Sequence, residues 1–160
     1  TQLVSSVLFI LGVVLLVGFI SGATNPLNPL EKFTSSKNVV NKNELVFQKV
    51  KNINELELAI KNSSKPVLLD FWASWCVSCK ELDNITFKDE EVIKKLQGFT
   101  LLKADVTENN DEDKALQKRF GIVGPPALIF WDDKKQEIQS AKIVGYKNPK
   151  EFLEIINKNF

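Results

Sequence analysis

Both cysteines of this chain lie in the stretch Trp75-Cys76-Val77-Ser78-Cys79-Lys80, at C-x-x-C spacing. Two thiols so placed can close on each other and reopen by exchange with a partner's disulfide, the thiolate being the attacking species. Two other uses of the pair compete with this one. Half of a zinc site needs further ligands, and the chain has no His and no third Cys. A structural disulfide across two residues constrains little of the unfolded chain. A C-x-x-C pair beside a βαβ pattern therefore points to redox chemistry, which needs no cofactor and no metal.

Pro66 to Trp72 is an apolar, β-prone run, and Leu82, Ile85, Val92, Ile93 and Leu96 recur after the cysteines at roughly helical intervals. The dithiol thus falls where a strand hands over to a helix N-terminus, whose free N–H groups and partial positive charge stabilise a thiolate. Cys76 is the expected nucleophile, exposed and of lowered pKa. Cys79, one turn on, is the expected covered partner that resolves a mixed disulfide. Asp70 is a lone acid within the apolar strand; burial would raise its pKa and let it exchange a proton with Cys79. Asp83 lies four residues after Cys79 and seven after Cys76, so a regular helix stacks all three on one face. A carboxylate there would raise the thiol pKa values against the helix dipole. The competing readings are an acid reaching water at a strand end for Asp70, and a solvated acid or helix breaker for Asp83.

The chain has 160 residues, 44% hydrophobic and 26% charged, with a net charge of +1, which suits one globular domain with some chain to spare and gives no argument for nucleic acid. It contains no Met, even at position 1, and is expected to be a fragment or a processed product. From Leu3 to Ile20 the sequence is apolar, and no charge appears before Glu31. About 20 such residues cover the roughly 30 Å hydrocarbon core of a bilayer. We expect a transmembrane helix over 1–22; Ser21-Gly22-Ala23 keeps a secretory signal as the alternative, although a basic n-region is missing. The charges do not orient the span. A Pro, Ser, Lys and Asn-rich linker follows over 23–44, and a single domain occupies 45–160.

Within that domain we expect strands at 45–50, 66–72, 99–106, 127–131 and 138–144. Helices are expected at 53–61, after Cys76 with a break near Asp83, Asn84 and Thr86, then from about Asp89 to Leu96, at 111–120, and from Pro149 onward. Asp132-Asp133-Lys134-Lys135 reads as a hairpin turn, and the runs Lys134-Lys135 and Asp111-Glu112-Asp113 as solvated turns and caps. The order βαβαβαββα describes an α/β fold, a central mixed β-sheet flanked by helices.

The Asp-Phe-Trp-Ala-Ser-Trp-Cys-x-x-Cys-Lys run, the Gly121-x-x-Gly124-x-Pro126 turn before a strand, and this element order resemble the thioredoxin family over about 45–160. Trp75 to Leu82, Asn84-Ile85-Thr86-Phe87, Ala104 to Asn109 and the preceding apolar run are more narrowly similar to the C-terminal domain of the DsbD thiol:disulfide interchange proteins. That resemblance implies a thioredoxin-like fold preceded by one transmembrane helix, in the bacterial inner membrane with the domain in the periplasm. It implies a protein-disulfide reductase, an electron relay fed by a DsbD-like transmembrane domain and emptied into an N-terminal periplasmic domain, in a setting such as cytochrome c biogenesis. It also implies that Asp70 is buried and that the bond before Pro126 is cis and presents backbone to a bound partner. Pro125, which departs from the general thioredoxin pattern, removes an N–H from that edge and should weaken the grip on generic peptides.

Trp75 is expected at the surface beside Cys76 as a partner contact, with Val77, Pro125 and Pro126 completing the binding rim. Trp72, Phe120 and Ile122 fit the core as well as a site, and Val123 fits the rim. Uncharged Val77 and Ser78 between the cysteines, and two carboxylates behind them, favour a reductant with a potential on the reducing side of about −180 mV. A stand-alone membrane-anchored thioredoxin-like enzyme acting on apocytochrome c or on proteins generally, and a redox-inert binding module on the same fold, are the alternatives.

Overall fold

In a computed structural model of the protein the described residues are Ser6 and 44–160. The chain divides into two units, 1–41 and 42–160, and the second is considered by itself. Among the described residues no helix is long and apolar enough to cross a membrane. Apart from Ser6, the span expected over 1–22 lies outside them, as does the expected linker except Glu44.

The elements run β1 (Gln48–Lys49), α1 (Ile53–Asn62), β2 (Val67–Trp72), α2 (Val77–Asn84), a 3-10 turn (Thr86–Lys88), α3 (Glu90–Leu96), β3 (Thr100–Asp105), α4 (Asp111–Arg119), β4 (Ala127–Trp131), a second 3-10 turn (Gln139–Ala141), β5 (Ile143–Val144) and α5 (Pro149–Asn159). The sheet order is β1-β3-β2-β4-β5, with β3 parallel to both β1 and β2, and β4 antiparallel to β2 and β5. This is the expected mixed sheet with helices on both faces. Alternation along β2 sends Leu69 and Phe71 to one face, with Leu56 and Leu116 from the flanking helices. Leu68 joins Leu82, Leu96, Phe130, Phe152 and Ile156 on the other.

Local chemistry accounts for most helix boundaries. The side chains of Asn52, Asp89, Asn110 and Asn148 accept N–H groups at the starts of α1, α3, α4 and α5, and Pro149 follows its cap at the first helical turn. The expected break after the cysteines falls at Ile85, where α2 ends and Asp89 starts a new helix. Gly121 leaves α4 at φ +59, a conformation that costs glycine little.

Three expectations are corrected. The strand at 45–50 is reduced to Gln48–Lys49, with the Val50 N–H still bonding the Lys103 carbonyl at 3.0 Å, because among the described residues it lies at the sheet edge beside β3 alone. The strand at 138–144 is reduced to Ile143–Val144, because a 3-10 turn folds buried Ala141 inward after the Ile138 N–H bonds the Phe130 carbonyl. The acidic run and the lysine turn are a cap and a turn as expected, but they are not wholly solvated. Asp113 is buried in a reciprocal capping box with Asn110, and Lys135 Nζ donates to the Lys65 carbonyl at 3.1 Å.

Candidate functional site

Beyond the end of β2 Ala73 stays buried, Ser74 and Trp75 come to the surface, and Cys76 then caps α2. Cys76 and Cys79 are joined as a disulfide with their Cα atoms 5.3 Å apart. The Cys79 N–H points at Cys76 Sγ across 3.1 Å. The first turn of α2 contains no acid, so nothing there offsets the helix dipole at the sulfur. These donors favour negative charge on Cys76 once the bond opens. Cys76 retains 6% of its surface and Cys79 1%. The order of exposure is the expected one, but Cys76 is more covered than a freely exposed nucleophile.

Trp75 is 59% exposed beside it and Val77 70%. A short network holds this loop. Thr107 Oγ1 accepts the Ser74 N–H at 2.9 Å and donates to Asp105 Oδ1 at 2.5 Å, while the Thr107 carbonyl accepts Trp75 Nε1 at 3.2 Å. Val123 is fully exposed, whereas Phe120 and Ile122 are buried, as a core role requires. The Pro125–Pro126 bond is cis, Pro125 is half-buried, and the Pro126 carbonyl accepts the Gly145 N–H at 2.9 Å.

Asp70, 2% exposed, lies in β2 opposite Lys103 of β3. Lys103 Nζ sits 3.3 Å from Asp70 Oδ2 and 2.9 Å from Asp83 Oδ1. Burial pushes the Asp70 carboxyl up to about 6; Lys103 opposes the rise and Asp83 adds to it. Asp83 thus reaches across to a lysine, and is neither a fully solvated acid nor an unscreened charge behind the thiols. Lys103 is the residue that sequence reasoning missed. The signal was available: it is the lone cation in Thr100-Leu101-Leu102-Lys103-Ala104, just as Asp70 is the lone acid of its strand. Its ammonium also faces the rings of Phe47 at 4.8 Å and Trp72 at 5.6 Å.

A strand-to-helix dithiol backed by a buried acid can accept or release two electrons by disulfide exchange. Comparison with known proteins agrees with that chemistry. A family profile described as Thioredoxin matches residues 46–158. Proteins named thiol:disulfide interchange protein DsbD are similar: the one from Campylobacter jejuni is 41% identical over 140 residues, 88% of this chain and 24% of its own length. That from Ralstonia nicotianae is 40% identical over 157 residues, 95% of this chain and 26% of its own. The chain therefore spans about a quarter of the length of these relatives. Among solved structures, the oxidised C-terminal domain of Neisseria meningitidis DsbD superposes with a TM-score of 0.59 at 29% identity, covering 71% of this chain and all of that domain. Since the profile match takes in both cysteines and nearly every described residue, the chain belongs to the thioredoxin family.

Proposed function

We propose that the domain is a protein-disulfide reductase and an internal electron relay of a DsbD-like transporter. The observation that carries the reading is the Cys76–Cys79 disulfide at the start of α2, with the Cys79 N–H directed at Cys76 Sγ.

In the reduced domain the Cys76 thiolate attacks one sulfur of a partner disulfide, and the partner's other sulfur leaves as a thiolate. Cys79 then loses its proton and attacks Cys76 Sγ, releasing the second partner sulfur. Cys76 and Cys79 end as a disulfide, and the partner gains two electrons. Asp70 is the acceptor for the Cys79 proton, since a carboxyl with a pKa near 6 exchanges protons close to neutrality. Asp83 and Lys103 set the charge around it. Trp75, Val77 and Val123, with the backbone at Pro125-Pro126, form the docking rim, and the missing Pro125 N–H favours a folded partner over generic peptides.

The electrons come from a membrane domain and go to an N-terminal periplasmic domain, with residues 3–20 as a membrane span, 23–44 as a linker and 45–160 as the catalytic domain in the periplasm. In support, the alignment with the Ralstonia nicotianae relative leaves out only about eight residues of this chain, so the likeness runs back into the apolar segment.

The test is the reduction potential of the couple, by equilibration in defined thiol buffers. A value on the reducing side of about −180 mV is expected, and one near about −120 mV, typical of a strong oxidant, would reject a reductase. A Cys79→Ser variant should accumulate a mixed disulfide through Cys76, and trapping through any other residue would reject the assigned nucleophile.

A further inference from the structure

Residues 44–47 precede β1 and belong to no strand, yet they are laid against the domain in an alternating pattern. Leu45 and Phe47 are half-buried, while Glu44 and Val46 face outward. Phe47 packs on Phe87 with ring centroids 5.5 Å apart, and Glu44 reaches Lys88 at 3.7 Å. The Phe47 ring also covers the Lys103 ammonium at 4.8 Å, with the Trp72 ring 5.6 Å from the same atom. Two carboxylates and two rings therefore surround one ammonium.

We propose that Phe47 is a positioning residue of the buried-acid cluster: its ring covers Lys103 and so shuts Asp70 off from water, while Asp83 keeps a third of its side chain exposed, and docking of the segment entering the domain sets how dry Asp70 is. The charged groups facing Asp70 are Lys103 from β3 and Asp83 from α2, and its register partner on β4 is apolar Leu128. Desolvation is the largest influence on the Asp70 carboxyl. Lys103 remains held by two carboxylates at 3.3 and 2.9 Å if the ring is removed. Water admitted at position 47 thus lowers the Asp70 pKa more than any loosening of Lys103 raises it. Whatever pulls on the chain ahead of Glu44 then acts on the acid behind the thiols. The consequence for catalysis rests on the reading of Asp70 as proton acceptor; the placement of Phe47 does not.

The experiment is a carbon-13 carboxyl titration of Asp70 in the oxidised full chain. Phe47→Ala should lower the midpoint by about half a unit or more. Phe47→Leu keeps apolar bulk against Phe87, reads the same effect should the alanine variant fail to fold, and should give roughly half of the shift. Phe47→Tyr should restore the parent midpoint. An unmoved or raised midpoint in either smaller variant, folded, overturns the proposal. Insulin-disulfide reduction followed against pH in parallel separates the two ideas. A moved midpoint with an unmoved pH profile upholds Phe47 as the shield and removes Asp70 from the proton path.

Discussion

Asp70 holds its proton in the folded protein up to about pH 6, whereas the ordinary carboxyl releases it near 3.8. Between these values the folded state binds more protons than the unfolded one, so stability falls as pH rises through the window. Above it the ionised carboxylate costs on the order of 3 kcal/mol relative to acid conditions. Asp70→Asn should remove that slope and raise stability at pH 7.5 by about 1 to 3 kcal/mol, the lower figure applying if Lys103 suffers from losing one of its two partners. Urea denaturation at pH 4.5 and 7.5 measures it, and a variant less stable than the parent at pH 7.5 would contradict the account. Lys103→Gln tests the opposing influence. Without the ammonium, the Asp70 midpoint should rise further, by on the order of one unit, in a carboxyl titration; a fall would mean that Lys103 does not act on Asp70 as a charge.

At the scale of elements, the dithiol is a junction product. Strand β2 has β3 on one side and β4 on the other, so its end is fixed, and the loop from Ala73 to Trp75 inherits that rigidity. The loop is then tied to the end of β3 by Thr107, which bonds Ser74 and Trp75 at once. Thr107→Val is nearly isosteric and deletes the hydroxyl, leaving the Ser74 N–H and Asp105 without that partner. The expected cost is about 1 kcal/mol, since the site is exposed and water can replace the bond. The Trp75 fluorescence should change, and the KM for a protein disulfide should rise more than kcat falls. An unchanged KM with a lowered kcat would place Thr107 in the chemistry and not in the loop. The breaks in this region were legible because they depend on short-range signals: Asp89 bonds the N–H groups of Glu91 and Val92 within its own turn.

For the whole molecule, the two apolar clusters lie on opposite faces of one sheet within 44–160, and each contains several side chains with no exposure at all. A chain starting at Glu44 is therefore expected to fold cooperatively, with the melting temperature and reduction potential of the full chain. Calorimetry and thiol-buffer equilibration of both forms check this, and a lower melting temperature for the shorter form would assign part of the core to the preceding residues. What the sequence alone determined was whatever short-range pattern encodes: the dithiol and its helix, the break after that helix and the restart at Asp89, the apolar run of β2, and the lone acid inside it. It misjudged the two edge strands, because a ladder of two residues is decided by its neighbour and not by local alternation. Only the tertiary structure brought Lys103 between Asp70 and Asp83, since that contact depends on the register of β2 against β3 and on the distance from α2 to the sheet. The same holds for Phe47, whose value as an apolar residue is plain in the sequence. Its position over an ammonium 56 residues further along the chain is fixed by packing.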